Sequence, residues 1–201
     1  MAGRTMNQRI VVLLAGLLAL AGCGQNGAAS PPPPLEGAAI GGPFSLVDDH
    51  GHRFTDRDLL GHYVLIYFGY SYCPDACPTD LQVMAQGLKL FAAQDPERAA
   101  KILPVFVTVD PARDTPEVLR RYVAAFHPRM IGLTGPSAAI ESVKKSYAIY
   151  AQAEPKTPTG DYLVSHSRTD YLFGPDGKPI AVITPADDKV AVAKLLETWV
   201  K

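Results

Sequence analysis

Two long apolar runs, residues 63–68 and 102–109, dominate the hydrophobic pattern between residue 43 and the C-terminus. Neither run shows the polar alternation of a half-exposed strand, so both predict strands that are buried on the two faces of a sheet. After each run the apolar residues recur at helical spacing, and Pro78 and Pro116 stand near the predicted helix starts, where proline is favoured. Shorter segments complete the pattern: strands at 130–134, 171–173 and 180–184, and helices at 136–147 and from Asp187 onward.

The order of these elements predicts the fold class. Strands that alternate with helices, followed by a closing hairpin and a last helix, give an α/β domain with a mixed sheet flanked by helices. The order β-α-β-α-β-β-α, with a cysteine-containing loop after an early strand, resembles thioredoxin. Residues 44–47 and 53–55 flank a polar turn at 48–52 and predict an extra N-terminal hairpin, which a short helical turn follows at 56–60. We therefore expect a thioredoxin-like domain with additions at its N-terminus and around residues 130–150.

The N-terminus carries the pattern of an export signal. Arg4 and Arg9 precede an uncharged apolar run at residues 10–21. A transmembrane helix needs about 20 apolar residues, so this run has the length of a signal-peptide core instead. The run leads into the sequence Leu-Ala-Gly-Cys, with Cys23 in last place, which resembles the lipobox of bacterial lipoproteins. In that signal the cysteine is lipidated and becomes the mature N-terminus. The alternative is an ordinary signal peptide cleaved near Ala21.

This interpretation divides the chain into three parts. Residues 1–22 are predicted to be a lipoprotein signal peptide, and residues 43–201 the folded domain. Residues 23–42 are predicted to be the lipidated cysteine and a semi-rigid tether, because they are rich in Gly, Ala, Ser and Pro and lack a hydrophobic period. We expect a bacterial cell-envelope protein, lipid-anchored to the inner membrane, whose domain faces the periplasm or the cell exterior. Thiol pairs form disulfides in such oxidising compartments.

Composition narrows the function classes. The chain has 201 residues, a formal net charge of −1 and 47% hydrophobic residues, which suits one domain with an adequate core. It lacks the basic balance of a nucleic-acid-binding protein. Three cysteines are too few for a disulfide framework to be the main source of stability. Cys73 and Cys77 are the pair close enough in sequence to act together, because Cys23 lies in the export signal.

The chemistry of this cysteine pair is constrained by its prolines. Cys73 and Cys77 each precede a proline, which disfavours helical backbone geometry at both. We expect them outside regular helix, on a stiff loop that leads into a helix N-terminus, where the helix dipole favours the thiolate. From the residues alone three roles stay open: Cu(I) binding by two thiolates, a redox-active disulfide, and a structural pair. The Pro-x3-Thr-x2-Cys pattern of peroxiredoxins is absent before Cys73, which argues against that class of peroxidase.

A metal site with two thiolates needs a further ligand, and five histidines are available. His166 lies between two serines shortly before a predicted strand, and both a structural and a ligand role stay open for it. His50 and His52 lie in the predicted hairpin turn, where plain solvation competes with a weak second metal site. Asp110 has the position of a turn residue, and Asp114 that of a residue supporting a helix start.

Three motifs, taken in their order along the chain, resemble those of a known family. They are Cys-Pro-x-x-Cys-Pro at 73–78, Val-Asp-Pro-Ala-Arg-Asp-Thr-Pro at 109–116, and a histidine, His166, before Tyr-Leu-Phe-Gly-Pro-Asp-Gly at 171–177. From about residue 44 to the C-terminus the chain resembles the Sco/SenC family. Members are thioredoxin-like, membrane-tethered copper proteins that assist assembly of the binuclear copper site of cytochrome c oxidase. The resemblance implies that Cys73, Cys77 and His166 are copper ligands.

The function implied by the resemblance is that of a metallochaperone, which binds one copper ion as Cu(I) or Cu(II) and is not an enzyme. Two thiolates and one imidazole suit Cu(I), and the imidazole helps to retain Cu(II). The implied partners are the copper-site subunit of cytochrome c oxidase and another periplasmic copper chaperone. In the family the segment around Asp114 lies close to the metal loop, which gives Asp114 a second interpretation as a residue that tunes or contacts oxidised copper. The alternative function is a periplasmic thiol–disulfide oxidoreductase, in which Cys73 and Cys77 form a redox disulfide and act on cysteines of a copper-receiving partner.

Overall fold

A computed structural model describes residues 31–184 and 187–201, so the predicted signal peptide, Cys23 and the first residues of the tether lie outside the described residues. The described residues form nine strands, one 3-10 turn and five α-helices. In chain order these elements are β1 (Ser45–Asp48), β2 (Arg53–Thr55), the 3-10 turn (Asp56–Leu59), β3 (Tyr63–Gly69), α1 (Ala76–Gln94), α2 (Pro96–Ala100), β4 (Ile102–Thr108), α3 (Pro116–Ala124), β5 (Ile131–Thr134), α4 (Ser137–Ser146), β6 (Ala151–Ala153), β7 (Val164–His166), β8 (Asp170–Phe173), β9 (Pro179–Ile183) and α5 (Lys189–Trp199).

Seven of the described strands form a mixed central sheet in the order β2-β1-β5-β4-β3-β8-β9. Strand β4 runs parallel to both β3 and β5, whereas the β1–β2, β1–β5, β3–β8 and β8–β9 pairs are antiparallel. Every residue of β3 is buried, and so is all of β4 except one half-buried position, which explains why both strands are unbroken apolar runs. The predicted α/β class and the extra N-terminal hairpin are confirmed.

The C-terminal ends of β3 and β4 lie side by side, because their parallel register pairs Gly69 with Thr108. The Val109 N–H donates to the Gly69 carbonyl at 2.8 Å and continues the pairing beyond the strands. The loop after β3 carries Cys73, and the loop after β4 carries Asp114. The fold therefore brings two motifs that are distant in the chain to one edge of the sheet, the usual place for function in α/β folds.

Helix α1, which follows the cysteine loop, is anchored along its length. Leu81, Met84 and Leu88 are buried, at the helical spacing that the sequence shows. Helix α5 packs on α1, and Gly87 permits the close approach, because a Cβ there would lie 2.5 Å from the Val192 side chain. The cysteine loop therefore leads directly into a helix that is packed against the core and against α5.

Three short elements were not predicted. Strands β6 and β7 pair antiparallel in a separate two-stranded sheet, with Ala151 opposite His166 and Ala153 opposite Val164. Helix α2 has five residues and begins after Asp95, whose side chain accepts a hydrogen bond from the Arg98 N–H. The sequence pattern does not reveal these elements, because they are too short to display a hydrophobic period and, unlike β1 and β2, strands β6 and β7 are not joined by a tight polar turn.

The start of α1 corrects one prediction. The helix begins at Ala76, after Asp75, so Cys77 is its second residue and lies inside regular helix despite preceding Pro78. The first helical residues have no intrahelical partner for their N–H groups, so a proline within this turn removes no helical hydrogen bond. The expectation for Cys73 is confirmed, since it lies in the turn before the helix, where its N–H donates to the Tyr70 carbonyl at 3.2 Å.

The predicted boundary of the tether also moves. Residues 33–201 form one compact unit, so residues 33–42 belong to the folded part of the chain. The Leu35 N–H donates to the Ile180 carbonyl at 3.0 Å, and the Gly41 N–H donates to the Ser146 carbonyl at 2.8 Å. Leu35 and Ile40 pack against the core, and these isolated apolar side chains are the signal that the composition of the segment conceals. Within residues 31–184 and 187–201, no helix has both the length and the hydropathy to cross a membrane.

Candidate metal centre

Cys73, Cys77 and His166 converge at the edge of the sheet. Their three ligand atoms all lie within 4.8 Å of one another, and the distance from Cys77 Sγ to His166 Nε2 is 3.1 Å. Cys73 comes from the loop after β3, Cys77 from the first turn of α1, and His166 from the end of β7. Among the described residues this is the one group of three or more Cys, His, Asp or Glu side chains with such spacing.

The end of β3 makes room for the Cys77 sulfur. A Cβ atom on Gly69 would lie 2.9 Å from Cys77 Sγ and 2.6 Å from a ring carbon of Tyr67, closer than real Cβ contacts. Glycine is therefore required where the strand passes beneath the sulfur. On the opposite side the Cys77 N–H points at Cys73 Sγ, with a nitrogen–sulfur distance of 3.4 Å. The two sulfurs are held together by the backbone of the helix start.

Burial controls the protonation of Cys77. Its side chain has no solvent exposure, and this burial raises the pKa of the Cys77 thiol to about 12, with a smaller contribution from Cys73 in the same direction. The hydrogen bonds that favour the thiolate are too weak to offset the desolvation of the charge. The predicted preference for a thiolate at the helix N-terminus is therefore wrong for Cys77 in the metal-free protein. A soft metal ion has to displace the thiol proton.

His166 is oriented as a metal ligand. The distance between its Nδ1 and the Ser167 carbonyl oxygen is 2.7 Å, and because a carbonyl only accepts, Nδ1 carries the proton. Nε2 then presents its lone pair towards Cys77 Sγ, the arrangement typical of metal-binding histidines. The rings of Tyr70 and Tyr67 stand edge-on to the imidazole, at centroid distances of 5.8 and 6.4 Å. Burial lowers the pKa of His166, which keeps the ring neutral.

Asp114 is a fully buried carboxylate behind the cysteine loop and is outside the three-ligand group. It accepts hydrogen bonds from the Ser71 N–H at 3.1 Å, from the Ser71 hydroxyl, and from the Thr108 hydroxyl at 2.6 Å. Burial raises the pKa of Asp114 although these hydrogen bonds act in the opposite direction. The start of α3 is capped by Thr115, whose hydroxyl accepts the Val118 N–H. Asp114 therefore ties the cysteine loop to β4 instead of capping a helix.

Arg113 is a residue of this region whose role the sequence did not indicate. Its guanidinium stacks on Tyr162, 3.6 Å from the ring centroid, and also lies 4.9 Å from the Tyr72 ring. Arg113 donates to the Asp110 carboxylate and to the Tyr162 carbonyl, and the Tyr162 hydroxyl donates to Asp110 at 2.8 Å. These contacts join the cysteine loop, the loop after β4 and the segment before β7. The place of Arg113 inside the motif at 109–116 was the one signal in the sequence, because the residues that it joins are far apart in the chain.

The remaining histidine candidates lie elsewhere. His50 and His52 are exposed in the β1–β2 turn, where their backbone N–H groups donate to the Asp48 carboxylate at 3.0 and 2.8 Å. The side chain of His52 lies 3.5 Å from the same carboxylate. In the part of the chain that the structure describes, these histidines join no group with metal-ligand spacing. The turn is a solvated hairpin connection.

This chain resembles known proteins in both sequence and structure. The SCO1/SenC family model matches residues 32–201. Protein SCO1, mitochondrial, of Saccharomyces cerevisiae is 40% identical over 161 residues, which are 79% of this chain and 54% of that protein. The chain spans about half the length of the curated relatives it matches. The crystal structure of Arabidopsis thaliana ScoI with copper bound has a TM-score of 0.75 and 37% identity, covering 80% of this chain and 98% of that one.

A further solved structure connects the fold to a described cellular role. BsSco, in which a disulfide switch has been identified, is described as a member of the Sco family of cytochrome c oxidase assembly proteins. It is 27% identical with a TM-score of 0.57, covering 79% of this chain and 93% of that one. The matches extend over the whole described domain and include both cysteine-bearing and histidine-bearing segments. The chain belongs to the SCO1/SenC family.

Proposed function

We propose that this chain is a copper chaperone that binds one copper ion through Cys73, Cys77 and His166 and assists assembly of the binuclear copper centre of cytochrome c oxidase. The observation that carries the proposal is the convergence of these three ligand atoms within 4.8 Å. Family membership supports it, since copper is bound in the Arabidopsis ScoI structure and BsSco is described as an oxidase assembly protein.

The ligand set matches the chemistry of a copper carrier. Two thiolates bind soft Cu(I), and one imidazole adds a ligand that also suits Cu(II). Cys77 is buried whereas Cys73 and His166 are half-buried, so the site is reached from the side of these two residues. A chaperone has to release its cargo, and a ligand near the surface gives the thiol of a partner a point at which to begin exchange.

The first test replaces the imidazole. In His166→Ala, two thiolates remain, so we expect Cu(I) to be retained while Cu(II) affinity falls by at least about tenfold. Competitive titration with each oxidation state measures the two affinities separately. His62→Ala, which removes an exposed histidine just before β3, is the matched control. Equal losses of Cu(I) and Cu(II) in His166→Ala, or no loss of either, would contradict the assignment of His166.

The second test uses pH. Since the pKa of the Cys77 thiol is about 12, the metal-free site is protonated near neutral pH, and copper releases that proton. Apparent Cu(I) affinity should therefore rise about tenfold for each unit of pH increase from this thiol alone. The raised pKa means that the Cys77 contribution to folding is complete below the ordinary thiol pKa and is lost only as pH rises through about 12. Competition titrations near neutral pH thus report binding, and a pH-independent affinity would refute this account.

The N-terminal residues that lie outside the described part of the chain bear on where the protein is located and which partners it meets. We infer that residues 1–22 are a signal peptide, that Cys23 carries the lipid anchor, and that the residues between it and the folded unit form the tether. The apolar run at 10–21 followed by Leu-Ala-Gly-Cys supports this anchor. The domain would face the periplasm or cell exterior from the inner membrane. There it would receive copper from another periplasmic chaperone and pass it to the copper-site subunit of the oxidase.

A second candidate function is a thiol–disulfide oxidoreductase. The observation in its favour is that Cys73 and Cys77 are neighbours at a helix start in a thioredoxin-like fold, with the Cys77 N–H 3.4 Å from Cys73 Sγ. Burial of Cys77 and its raised pKa oppose a role for this thiol as the attacking group, because exchange requires an accessible thiolate, so the half-buried Cys73 would have to attack the substrate disulfide. Turnover by metal-free protein that is independent of His166 would favour this function over the chaperone.

A further inference from the structure

An ion pair joins α1, the helix that carries Cys77, to the connection that follows His166. Arg168 donates from Nε to Asp80 Oδ2 at 2.9 Å and from Nη2 to Asp80 Oδ1 at 2.6 Å, a two-pronged contact. The Asp80 side chain is 12% exposed and that of Arg168 is 41% exposed. Such paired N–H···O contacts fix orientation as well as distance.

Each member of this ion pair lies close in sequence to one of the candidate copper ligands. Asp80 follows Cys77 by three residues on α1, so both lie on neighbouring turns of one helix face. Arg168 follows His166 by two residues, in the connection between β7 and β8. Closing the ion pair therefore fixes the β7–β8 connection to the helix that bears Cys77.

Asp80 also contacts the wall of the site. The Tyr67 hydroxyl donates to Asp80 Oδ2 at 3.3 Å, and the Tyr67 ring stands edge-on to the His166 imidazole. One carboxylate thus holds the arginine that follows the histidine and the tyrosine that packs against it. A substitution at Asp80 therefore disturbs two residues next to His166: Arg168, which follows it in the chain, and Tyr67, which packs against its ring.

Other contacts hold the β7 segment to β6 and to the loops after β3 and β4, among them a hydrogen bond from the Val164 N–H to the Tyr70 hydroxyl at 3.2 Å. The strand that carries His166, β7, has three residues and pairs with β6 in a separate two-stranded sheet, outside the central one. After it, the Ser167 N–H donates to the Tyr150 carbonyl and the Tyr150 N–H donates to the Ser167 hydroxyl. These hydrogen bonds tie the segment to the β6 side. Its contacts with α1 include the Arg168–Asp80 ion pair and the 3.1 Å approach of His166 Nε2 to Cys77 Sγ.

We propose that Arg168 and Asp80 are a positioning pair that holds the His166 imidazole against Cys77, so that the histidine stays bound when the copper is Cu(II). The inference rests on the proposed function, since it assigns the pair a role in the same site. Neither side chain is itself a ligand: the pair acts through the placement of His166. Cu(I), which two thiolates hold without the histidine, is insensitive to the pair.

Opposite charge changes separate positioning from electrostatics. Arg168→Gln removes a positive charge near the site, whereas Asp80→Asn removes a negative charge. If the pair acted through its electric field on the cation, the two variants would shift Cu(II) affinity in opposite directions. If the pair positions His166, both variants weaken Cu(II) binding. Arg168→Lys keeps the charge and loses the two-pronged geometry, so positioning predicts a partial loss and a field effect predicts none.

The experiment uses the full chain loaded with Cu(II). The measurements are the Cu(II) dissociation rate, the imidazole nitrogen coupling in the electron paramagnetic resonance spectrum, and Cu(I) affinity by competition. We expect both charge-removing variants to release Cu(II) about tenfold faster than wild type, with weakened nitrogen coupling and unchanged Cu(I) affinity. Arg121→Gln, which breaks an exposed 3.8 Å pair with Glu117 on α3, is the matched control and should behave as wild type.

The outcomes separate this inference from the proposed function. Wild-type protein that holds no copper overturns the proposed function, and the positioning role with it. Wild-type binding that depends on His166, combined with wild-type nitrogen coupling in Arg168→Gln and Asp80→Asn, overturns the positioning role alone. Shifts of opposite sign in the two variants also overturn it, in favour of a field effect. A parallel loss of Cu(I) affinity would show a general disturbance of the fold and would likewise contradict it.

Discussion

Replacing Cys73 or Cys77 by alanine is expected to abolish stoichiometric copper retention. Each variant leaves one thiolate and one imidazole, and a soft Cu(I) ion with one thiolate ligand is exposed to competition from any chelator. Cys77 is fully buried, so its truncation should also lower the free energy of unfolding by about 1 kcal/mol, whereas the half-buried Cys73 contributes less. Copper per chain after dialysis against a chelator measures the first effect, and denaturant unfolding measures the second.

A matched control separates lost ligands from a loosened core. Ile140→Val removes one buried methylene from α4, away from the cysteine loop, and should cost about 1 kcal/mol of stability without loss of copper. The double variant Cys73→Ala/Cys77→Ala should bind no copper at stoichiometric concentrations. Copper retention by that double variant at the wild-type level would reject the chaperone assignment.

Asp114→Ala is expected to have the largest effect on stability among the side chains near the site. The substitution strands the Ser71 N–H and the Thr108 hydroxyl without their buried acceptor, which should lower the free energy of unfolding by about 2–3 kcal/mol. Because the same carboxylate holds the cysteine loop against β4, copper affinity should fall as well. Urea unfolding and Cu(I) competition on the same variant give both quantities.

The pH dependence of this effect has a defined sign. Burial raises the pKa of Asp114, so the stability it contributes is fully present below the ordinary carboxyl pKa and declines as pH rises through the raised value. The stability difference between wild type and Asp114→Ala should therefore be larger in acid than at neutral pH. Thr115→Ala, which removes the cap of α3, is the control and should lower the free energy of unfolding by about 1 kcal/mol at both acid and neutral pH. Copper affinity as strong in Asp114→Ala as in Thr115→Ala would contradict a role for Asp114 in holding the loop.

Much of the fold follows from local sequence signals. The unbroken apolar runs of β3 and β4 predict central strands because a strand covered on both faces has no polar positions to alternate. Cys73 and Cys77 are close in the chain and follow such a strand, so their proximity and their place at the sheet edge are both predictable. The position of His166 beside Cys77 could not be predicted from local signals. His166 lies 89 residues after Cys77, and its role as a ligand was implied only by resemblance to a family.

What the sequence did not reveal depends on contacts between distant residues. The pKa of Cys77 is raised by burial against Gly69 of β3, which no local pattern encodes, and the helix dipole alone predicted the opposite direction. The pairing of Arg168 with Asp80 spans 88 residues, and neither residue type is unusual on a surface. Leu35 and Ile40 dock on the core from a segment whose composition is that of a linker. In each case the observed feature is set by tertiary contacts that the local sequence does not specify.

X-ray absorption spectroscopy at the copper edge, on the full chain loaded with one copper ion in detergent, tests the central claim most directly. The account predicts two sulfur neighbours and one imidazole nitrogen in the wild type, loss of the imidazole signal in His166→Ala, and loss of a sulfur neighbour in Cys73→Ala. A wild-type spectrum with only nitrogen and oxygen neighbours, or one that is unchanged when Cys73 is replaced, would contradict it.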